Sequence, residues 1–175
     1  GDGFINPLRT RSVQLEQFGD TSADTGIDEN DAVVTNLTDS GTYTLDALVV
    51  DFGADQTDDS DSDDDQETVT INVGSDTQIG WSSTTEAYGI DVSSDSGDQG
   101  LDTLTINNDS DIYGDRDTDG VESAGIAIGK NTSASIDDVV LNLDSNSDVT
   151  SGNDGVRIRG VNNDLDIDND GDIAG

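Results

Sequence analysis

The sequence predicts an all-β protein built as a parallel β-helix, or β-solenoid, with an irregular N-terminal segment. Three observations predict this fold: a recurring phrase, a second recurring strand pattern, and a composition that is lean in aromatic residues. The phrase is an alternating apolar triplet, a turn, an Asp followed by an apolar residue, and a nearby Gly. Its copies begin at Leu104, Leu141 and Leu165, with a looser copy at Val69. Because each copy is a structural unit that buries its apolar face against neighbouring copies, the units are expected to stack.

The phrase also predicts the strand register. We align Ile106, Leu143 and Ile167 as equivalent positions, each six residues before the apolar residue that follows the turn. The intervals are then 35 residues from Ile71 to Ile106, 37 to Leu143 and 24 to Ile167, which we interpret as loop insertions into a minimal unit. Because alternate side chains of a strand face opposite sides, Ile106 is expected in the core and Thr105 on the surface.

The second pattern, Gly-apolar-x-apolar, lies between the copies and begins at Gly89, Gly125 and Gly155. Together the patterns indicate three short strands per unit. An antiparallel sandwich is the alternative fold, but a sandwich has no reason to repeat a phrase in register.

Composition supports a thin core and leaves disorder as a further alternative. Hydrophobic residues make up 30% of the chain and aromatic residues 4%, which a narrow column of Ile, Val and Leu accommodates. The net charge of -34 is also typical of disordered chains. The repeats argue against disorder from Thr68 onward, but not for the Asp-rich stretch Ala54 to Gln66.

Three segments are predicted along the chain. Residues 1–31 are an N-terminal arm or cap, which either covers the first coil or pairs with a neighbouring molecule. Residues 32–67 hold a degenerate first coil and an Asp-rich loop, and residues 68–175 form the solenoid repeat body.

The end of the repeat body predicts self-association. An open coil presents unpaired backbone groups, so the chain is expected either to be a fragment of a longer solenoid or to meet another subunit there. The second case predicts a head-to-tail homopolymer. The residues expected in the assembly contacts are Val13, Leu15, Ile167 and Ile173.

Aspartate dominates the acidic residues, since only five of the forty acids are Glu. Two segments place acids at alternate positions beside a Gly, as a wrapped calcium loop does. We therefore predict calcium as a cofactor; the alternative is that these side chains cap turns and face water. The first segment lacks the bidentate Glu of an EF-hand-type loop, having Ile126 at its twelfth position. The predicted metal ligands are Asp115, Asp117, Asp119, Asp166, Asp168, Asp170 and Asp172.

The composition argues against several function classes. Such an acidic chain is not expected to bind nucleic acid or an anionic membrane, and no apolar run predicts membrane insertion. With neither His nor Cys, the chain is not expected to be an enzyme. A polysaccharide lyase or hydrolase that uses Asp residues on one face is the enzymatic alternative.

The phrases Ile106 to Gly114 and Ile167 to Gly175 resemble the I-x-N-x-G-x-I-x-G repeats of autotransporter passenger domains. The first departs from the pattern at Ser110, and the Asp content is higher than usual for such repeats. The resemblance implies an exported protein of the bacterial surface, often an adhesin or biofilm component.

The predicted function is that of a secreted structural protein. It is expected to assemble end to end into extracellular filaments or a surface or biofilm matrix, stabilised by divalent cations. The predicted location is extracellular, at the cell surface. The alternative is a monomeric adhesin or passenger domain that binds glycans or a cell surface.

Overall fold

The structure is a computed structural model that describes residues 9–14, 32–37, 43–51, 67–81, 84, 86–93, 101–116, 122–129 and 136–175. Within 9–14, 32–37 and 43–51 it describes side chains only at Ala47 and Leu48. The predicted Asp-rich loop and most of the N-terminal segment lie outside these residues. In the described ranges, no helix has the length and apolarity that a membrane span needs.

All the elements of the described chain are β-strands. They are β1 (Arg9–Gln14), β2 (Ala32–Leu37), β3 (Tyr43–Asp51), β4 (Glu67–Val73), β5 (Thr77–Ile79), β6 (Tyr88–Ser93), β7 (Leu101–Asn108), β8 (Asp111–Tyr113), β9 (Ala124–Ile128), β10 (Ile136–Leu143), β11 (Asp148–Thr150), β12 (Asp154–Ile158), β13 (Val161–Asn169) and β14 (Asp172–Ala174).

The strands pair in parallel and form two sheets. One sheet has five strands in the order β13-β10-β7-β4-β2. The other has nine strands, in the order β12-β9-β6-β3-β5-β8-β11-β14, with β1 also paired to β3. The predicted all-β class is thereby confirmed, and the parallel sheets are compatible with a parallel β-helix.

Strands from successive repeat copies lie side by side, which gives the chain layers and columns. We call the strands of one copy a layer and the strands stacked across layers a column. Column one holds β2, β4, β7, β10 and β13. Column two holds the first half of β3, then β5, β8, β11 and β14, and column three holds the second half of β3, then β6, β9 and β12. Layer 1 thus contains β2 and β3, and layer 5 contains β13 and β14.

The predicted alignment of the copy that begins at Leu141, the third along the chain, is wrong by two residues. In the structure Ile106 pairs with Leu141, not with Leu143, and Leu141 in turn pairs with Ile167. The intervals from Ile71 are therefore 35, 35 and 26 residues. The error arose because Leu141-Asn142-Leu143 matches the apolar triplet as well as Val139-Val140-Leu141 does. A shift of two keeps each side chain on its predicted face, because the period of a strand is two.

Two types of corner connect column one to column two, and they alternate between layers. Layers 2 and 4 have long corners, closed by turns in which Thr77 N donates to Gly74 O at 3.0 Å and Ser147 N donates to Asp144 O at 2.8 Å. Layers 3 and 5 have corners that are two residues shorter. The equivalent apolar residues before and after the corner in layers 2, 3, 4 and 5 are Ile71 and Ile79, Ile106 and Ile112, Leu141 and Val149, and Ile167 and Ile173.

Aliphatic side chains between the two sheets form a narrow core. Leu104 and Ile106 are fully buried, whereas Thr105 between them is partly exposed, as the predicted register requires. Gly125 of the Gly-apolar-x-apolar pattern allows close packing. A Cβ there would lie 2.5 Å from Val149 Cγ1 and 2.8 Å from Gly155 O. The second sequence pattern therefore places a residue without a side chain where columns two and three approach each other.

Candidate functional site

A ladder of asparagine side chains runs along the outer face of column one. Asn72, Asn107 and Asn142 occupy the same register position in β4, β7 and β10. Asn107 Nδ2 donates to Asn72 Oδ1 at 2.8 Å, and Asn142 Nδ2 donates to Asn107 Oδ1 at 2.7 Å. The ladder therefore has a direction: in both bonds the amide of the later layer donates to the amide of the earlier layer.

The ladder changes chemistry at layer 5. Asp168 pairs with Asn142 and takes the position at which the previous layers have an amide. An ionised carboxylate has acceptors and no donor, so it cannot donate to Asn142 Oδ1. Asp168 instead presents acceptor oxygens at the last described position of the ladder.

A polar cleft of about 590 Å³ lies beside the ladder at the corners. Four carboxylates contribute to its lining, together with the ladder amides; they are Asp109, Asp144, Asp168 and Asp170. The described lining contains no aromatic ring. Such a surface of oxygen acceptors suits a hydrated cation or a ligand rich in hydroxyl groups.

Buried Asn108 fastens the short corner of layer 3 to the long corner of layer 4. It stands where Val73 and Leu143 stand in the adjacent layers. Its Nδ2 donates to Ser110 O at 2.8 Å and also to Ser147 Oγ. Its Oδ1 is buried and accepts no hydrogen bond from the described residues. An unsatisfied buried acceptor costs about 1–3 kcal/mol, which is as large as the net contribution of the two donated bonds together.

A row of carboxylates crosses column two. Asp148 pairs with Asp111 on one side and with Asp172 on the other, at the parallel-strand spacing of about 4.8 Å. Partial burial raises the pKa of the Asp111 carboxyl, the charge of Asp148 raises it further, and a hydrogen bond with Tyr113 lowers it. Burial and the two nearby carboxylates likewise raise the pKa of the Tyr113 hydroxyl. The row therefore concentrates negative charge that a cation would offset.

The predicted calcium ligands fall in three different settings. Asp117 and Asp119 lie outside the described residues. The backbone of Asp115 is part of the layer contacts, since its N–H donates to Glu86 O at 2.8 Å and its carbonyl accepts from Gly152 N at 2.7 Å. Calcium at this segment stays a prediction.

The second predicted calcium segment is divided between two strands and a corner. Asp166 and Asp168 lie two positions apart in the extended strand β13, Asp170 lies in the corner, and Asp172 lies in β14. In an extended strand, alternate side chains project from one face and do not converge as they do in a wrapped loop. Among the described residues, no group of three or more His, Cys, Asp or Glu is arranged to hold a metal ion.

The predicted assembly residues lie at opposite ends of the stack. Ile167 in β13 is 45% exposed and Ile173 in β14 is 41% exposed, and nearby Leu165 is also 45% exposed. These three side chains continue the buried rows of Val139, Leu141 and Val149. We call β13 and β14 the layer 5 edge.

The other end of the stack carries β1. Val13 of β1 pairs with Val50 of β3, while Leu15 lies outside the described residues. Residues 9–14 pair with their own chain, and the choice between a cap and an arm for residues 1–31 stays a prediction.

Comparison with protein families, with curated proteins and with solved structures gives no match for this chain.

Sequence reasoning missed the ladder, the buried Asn108 and the carboxylate row. The ladder had a signal, since Asn72, Asn107 and Asn142 are spaced by 35 residues. The incorrect alignment of the third copy hid that spacing. The repeated phrase did align Asp111, Asp148 and Asp172, each directly before the apolar residue that follows the turn, but the sequence analysis did not interpret them as a row of neighbouring charges.

Proposed function

We propose that this chain is a parallel β-solenoid with a structural role, a subunit that joins end to end into extracellular filaments or a surface or biofilm matrix. The observation that carries the proposal is the layer 5 edge. Among the described residues its strands pair on one side only, and its large aliphatic side chains are almost half exposed in rows that are buried in the preceding layers. Full burial of such a side chain contributes about 1.5–3 kcal/mol, so a further β-layer would bind there favourably.

The occupant that we propose is a second copy of the chain. The contact is head to tail, because the layer 5 edge and the β1–β2 end are different surfaces. A head-to-tail contact that does not close into a ring produces a filament.

Calcium or another divalent cation is proposed to offset the charge of the assembled form. The net charge of -34 repels neighbouring copies, and the row of Asp111, Asp148 and Asp172 concentrates charge close to the layer 5 edge. Hard cations prefer such oxygen ligands. We expect longer assemblies in millimolar calcium than in chelator.

Export to the cell surface is part of the same proposal. It is supported by the resemblance of the repeats to autotransporter passengers and by a chain without Cys that is rich in Asp, Ser, Thr and Gly. Antibody labelling of intact cells of the source organism, with permeabilised cells as the control, tests it.

The test of assembly is light scattering after size exclusion, together with negative-stain imaging, on the purified chain. We expect elongated particles of many copies. Ile167→Asp should reduce them to monomers, because it places a charge at the centre of the layer 5 edge. Thr105→Asp adds the same charge to the outer face of a middle layer and should leave assembly unchanged. Monomeric wild-type protein in both calcium and chelator would exclude the structural proposal.

A monomeric glycan-binding module is the second candidate, and the cleft beside the asparagine ladder favours it. Amide and carboxylate groups such as Asn107 and Asp144 line the cleft and suit the hydroxyl groups of a sugar. Calorimetric titration with oligosaccharides should then show saturable binding that Asn107→Leu abolishes. Saturable binding by a protein that stays monomeric would favour this candidate over the filament.

A further inference from the structure

We propose that the polar cleft beside the asparagine ladder binds a neutral linear glycan, which lies along the stacking direction and places successive sugar units on successive layers. This inference rests on the glycan-binding candidate and specifies the class and the orientation of its ligand. It does not depend on assembly, because the residues that carry it belong to layers 3 and 4 and not to the layer 5 edge.

The cleft crosses the layers instead of following one of them. Its lining includes Asn72 of layer 2, Asn107 of layer 3, Asn142 of layer 4 and Asp168 of layer 5, which lie on four neighbouring strands of column one. At a strand spacing of about 4.8 Å, these positions span about 14 Å. The volume of about 590 Å³ is that of a small-molecule site. The shape therefore suits an extended oligomer better than a single sugar.

The ladder presents hydrogen-bond donors to the cleft lining. The Nδ2 atoms of Asn107 and Asn142 each donate one hydrogen bond within the ladder. A primary amide has two N–H donors, and no described residue accepts the second one of either side chain. Both side chains are partly buried, and the ladder fixes their position. Each therefore keeps one held N–H donor for a ligand.

A carboxylate follows each of these amides by two residues, Asp109 in layer 3 and Asp144 in layer 4. Asn146 Nδ2 donates to Asp109 Oδ1 at 2.9 Å, and the backbone N–H of Ser145 donates to Asp144 Oδ1 at 2.7 Å. One oxygen of each carboxylate is thus held in place. The other oxygen accepts no hydrogen bond from the described residues, so it is available to a ligand hydroxyl group.

The amide and the carboxylate of one layer form what we call a station. Asn107 with Asp109 is the station of layer 3, and Asn142 with Asp144 is the station of layer 4. The strand pairing continues into the corner, since Asp144 N–H donates to Asn108 O at 2.8 Å, so the two stations lie one strand spacing apart. Two neighbouring hydroxyl groups of a sugar can accept from the amide and donate to the carboxylate at once.

The spacing of the stations indicates a polymer. A strand spacing of about 4.8 Å is close to the length of one sugar unit in an extended chain. Layer 2 lacks half of a station, because Gly74 stands beside Asp109 there, and layer 5 lacks the other half, because Asp168 replaces the amide. The described cleft therefore has two complete and adjacent stations, which suit two successive sugar units.

An unmet acceptor in the lining is an independent indication of a ligand. Asn108 belongs to the lining and is only 2% exposed, yet its Oδ1 accepts no hydrogen bond from the described residues. Buried polar atoms in native proteins nearly always have a protein or water partner. A sugar hydroxyl group, or an ordered water held beneath the sugar, would donate to this atom.

Charge selects a neutral ligand. Four carboxylates line the cleft and the chain has a net charge of -34, so a glycan that carries uronate or sulfate groups is repelled. None of the described lining residues is aromatic, so hydroxyl groups and not stacked rings carry the recognition. In the described part of the chain, no acidic group has the arrangement of a metal site, which favours hydroxyl groups over a bound metal ion as the partners of these oxygens.

NMR titration of the wild-type chain with glucose and with its linear oligomers tests the inference. The probes are β-1,3- and β-1,4-linked oligomers of two to six units, with oligogalacturonate as the anionic comparison. We expect the affinity for one of the two linkages to rise about tenfold between one unit and three, because the second station adds about 1.4 kcal/mol of binding free energy. Oligogalacturonate should bind more weakly than the neutral oligomer of the same length.

A variant that removes one station separates binding from structure. Asp144→Ala should lower the affinity for the three-unit oligomer about tenfold. It should lower the affinity for glucose no more than about twofold, because the station of layer 3 still binds one unit. Asp109→Ala is the equivalent change in layer 3 and repeats the test if Asp144→Ala destabilises the protein. Asp76→Ala is the control, since it removes a carboxylate from an exposed corner outside the cleft lining.

The outcomes separate this inference from the functions proposed above. Binding that rises with oligomer length and is weakened by Asp144→Ala, but not by Asp76→Ala, supports it. Saturable binding with equal affinity for one unit and three, or tighter binding of oligogalacturonate, overturns it and leaves the glycan-binding candidate standing. Equal losses in the Asp144→Ala and Asp76→Ala variants overturn the assigned stations. A panel in which no oligomer binds overturns both this inference and that candidate, whereas light scattering of the wild-type chain decides end-to-end assembly independently.

Discussion

Asp168 of β13 lies beside Asn142 of β10, at the position where the asparagine ladder has a donating amide in the layers before it. At this register position an ionised Asp168 carboxylate has no proton to donate to Asn142 Oδ1. The ladder is thus extended by position but not by hydrogen bonding.

Replacing this carboxylate by an amide should complete the ladder. Asp168→Asn gives a donor to Asn142 Oδ1, and we expect the free energy of unfolding to rise by about 0.5–1.5 kcal/mol. Urea denaturation followed by circular dichroism measures it. Asp166→Asn is the matched control, because it removes the same charge from the same strand but lies beside Val140. Equal stabilisation by both variants would show that charge, and not the ladder, is responsible.

The core register makes a second prediction. Ile106→Asp places a carboxylate among fully buried aliphatic side chains and should destabilise the protein by several kcal/mol, about 3 or more. Thr105→Asp, one residue earlier on the outer face, should cost less than about 1 kcal/mol. Thermal unfolding compares the two, and similar losses would contradict the assigned faces.

The carboxylate row predicts a pH-dependent stability. Asp111→Asn removes a like charge beside Asp148, and we expect stabilisation of about 0.2–1 kcal/mol at pH 7. Because the pKa of Asp111 is raised by folding, its carboxyl favours the folded state below its ordinary pKa of 3.8. That contribution is lost as the pH rises through the raised value.

The advantage of the Asp111→Asn variant should therefore be full at neutral pH and should shrink as the pH falls towards 3.8. Denaturation curves from pH 3 to 7 provide the measurement. The exposed corner residue Asp76 offers the control Asp76→Asn. A constant difference between wild type and Asp111→Asn over this range would refute the link to this row.

Close packing at Gly125 gives a fourth prediction. A Cβ at this position meets both Val149 and the carbonyl of Gly155, so Gly125→Ala should cost about 1–3 kcal/mol through overpacking. Ser145→Ala, a change of similar size at an exposed corner, should be nearly neutral. Differential scanning calorimetry of the two variants is the check, and an unaffected Gly125→Ala protein would mean that columns two and three can separate at no cost.

The period of two and the repeated phrase were sufficient to predict the strands of column one and the burial of Ile106. They were not sufficient to align the third copy, because Leu141 and Leu143 both satisfy the pattern. Each residue was still assigned to the correct face of its strand, because the alignment was shifted by an even number of residues. The ladder was then obscured, because its detection depends on placing Asn142 beside Asn107.

Other features depend on contacts that a single strand does not encode. The pairing of β1 with β3 joins segments separated by residues of unrelated pattern. The role of Asn108 depends on the length of the corner in its own layer and on Ser147 in the next. The segment Asp166 to Asp172 was interpreted as the start of an EF-hand-type loop. Acids at alternate positions are also typical of the outward face of a strand, so this pattern alone does not distinguish a wrapped loop from an extended strand.

The alternation of corner lengths has a consequence for redesign. Asn108 of a short corner binds Ser147 of the long corner above it, so neighbouring layers are unlike and match each other as a pair. Excising layer 4, for example, would bring two short corners into contact and leave the amide of Asn108 without its partner Ser147. Excising or duplicating two adjacent layers preserves the match. A redesign that lengthens this protein along its stacking direction should therefore add two layers at a time.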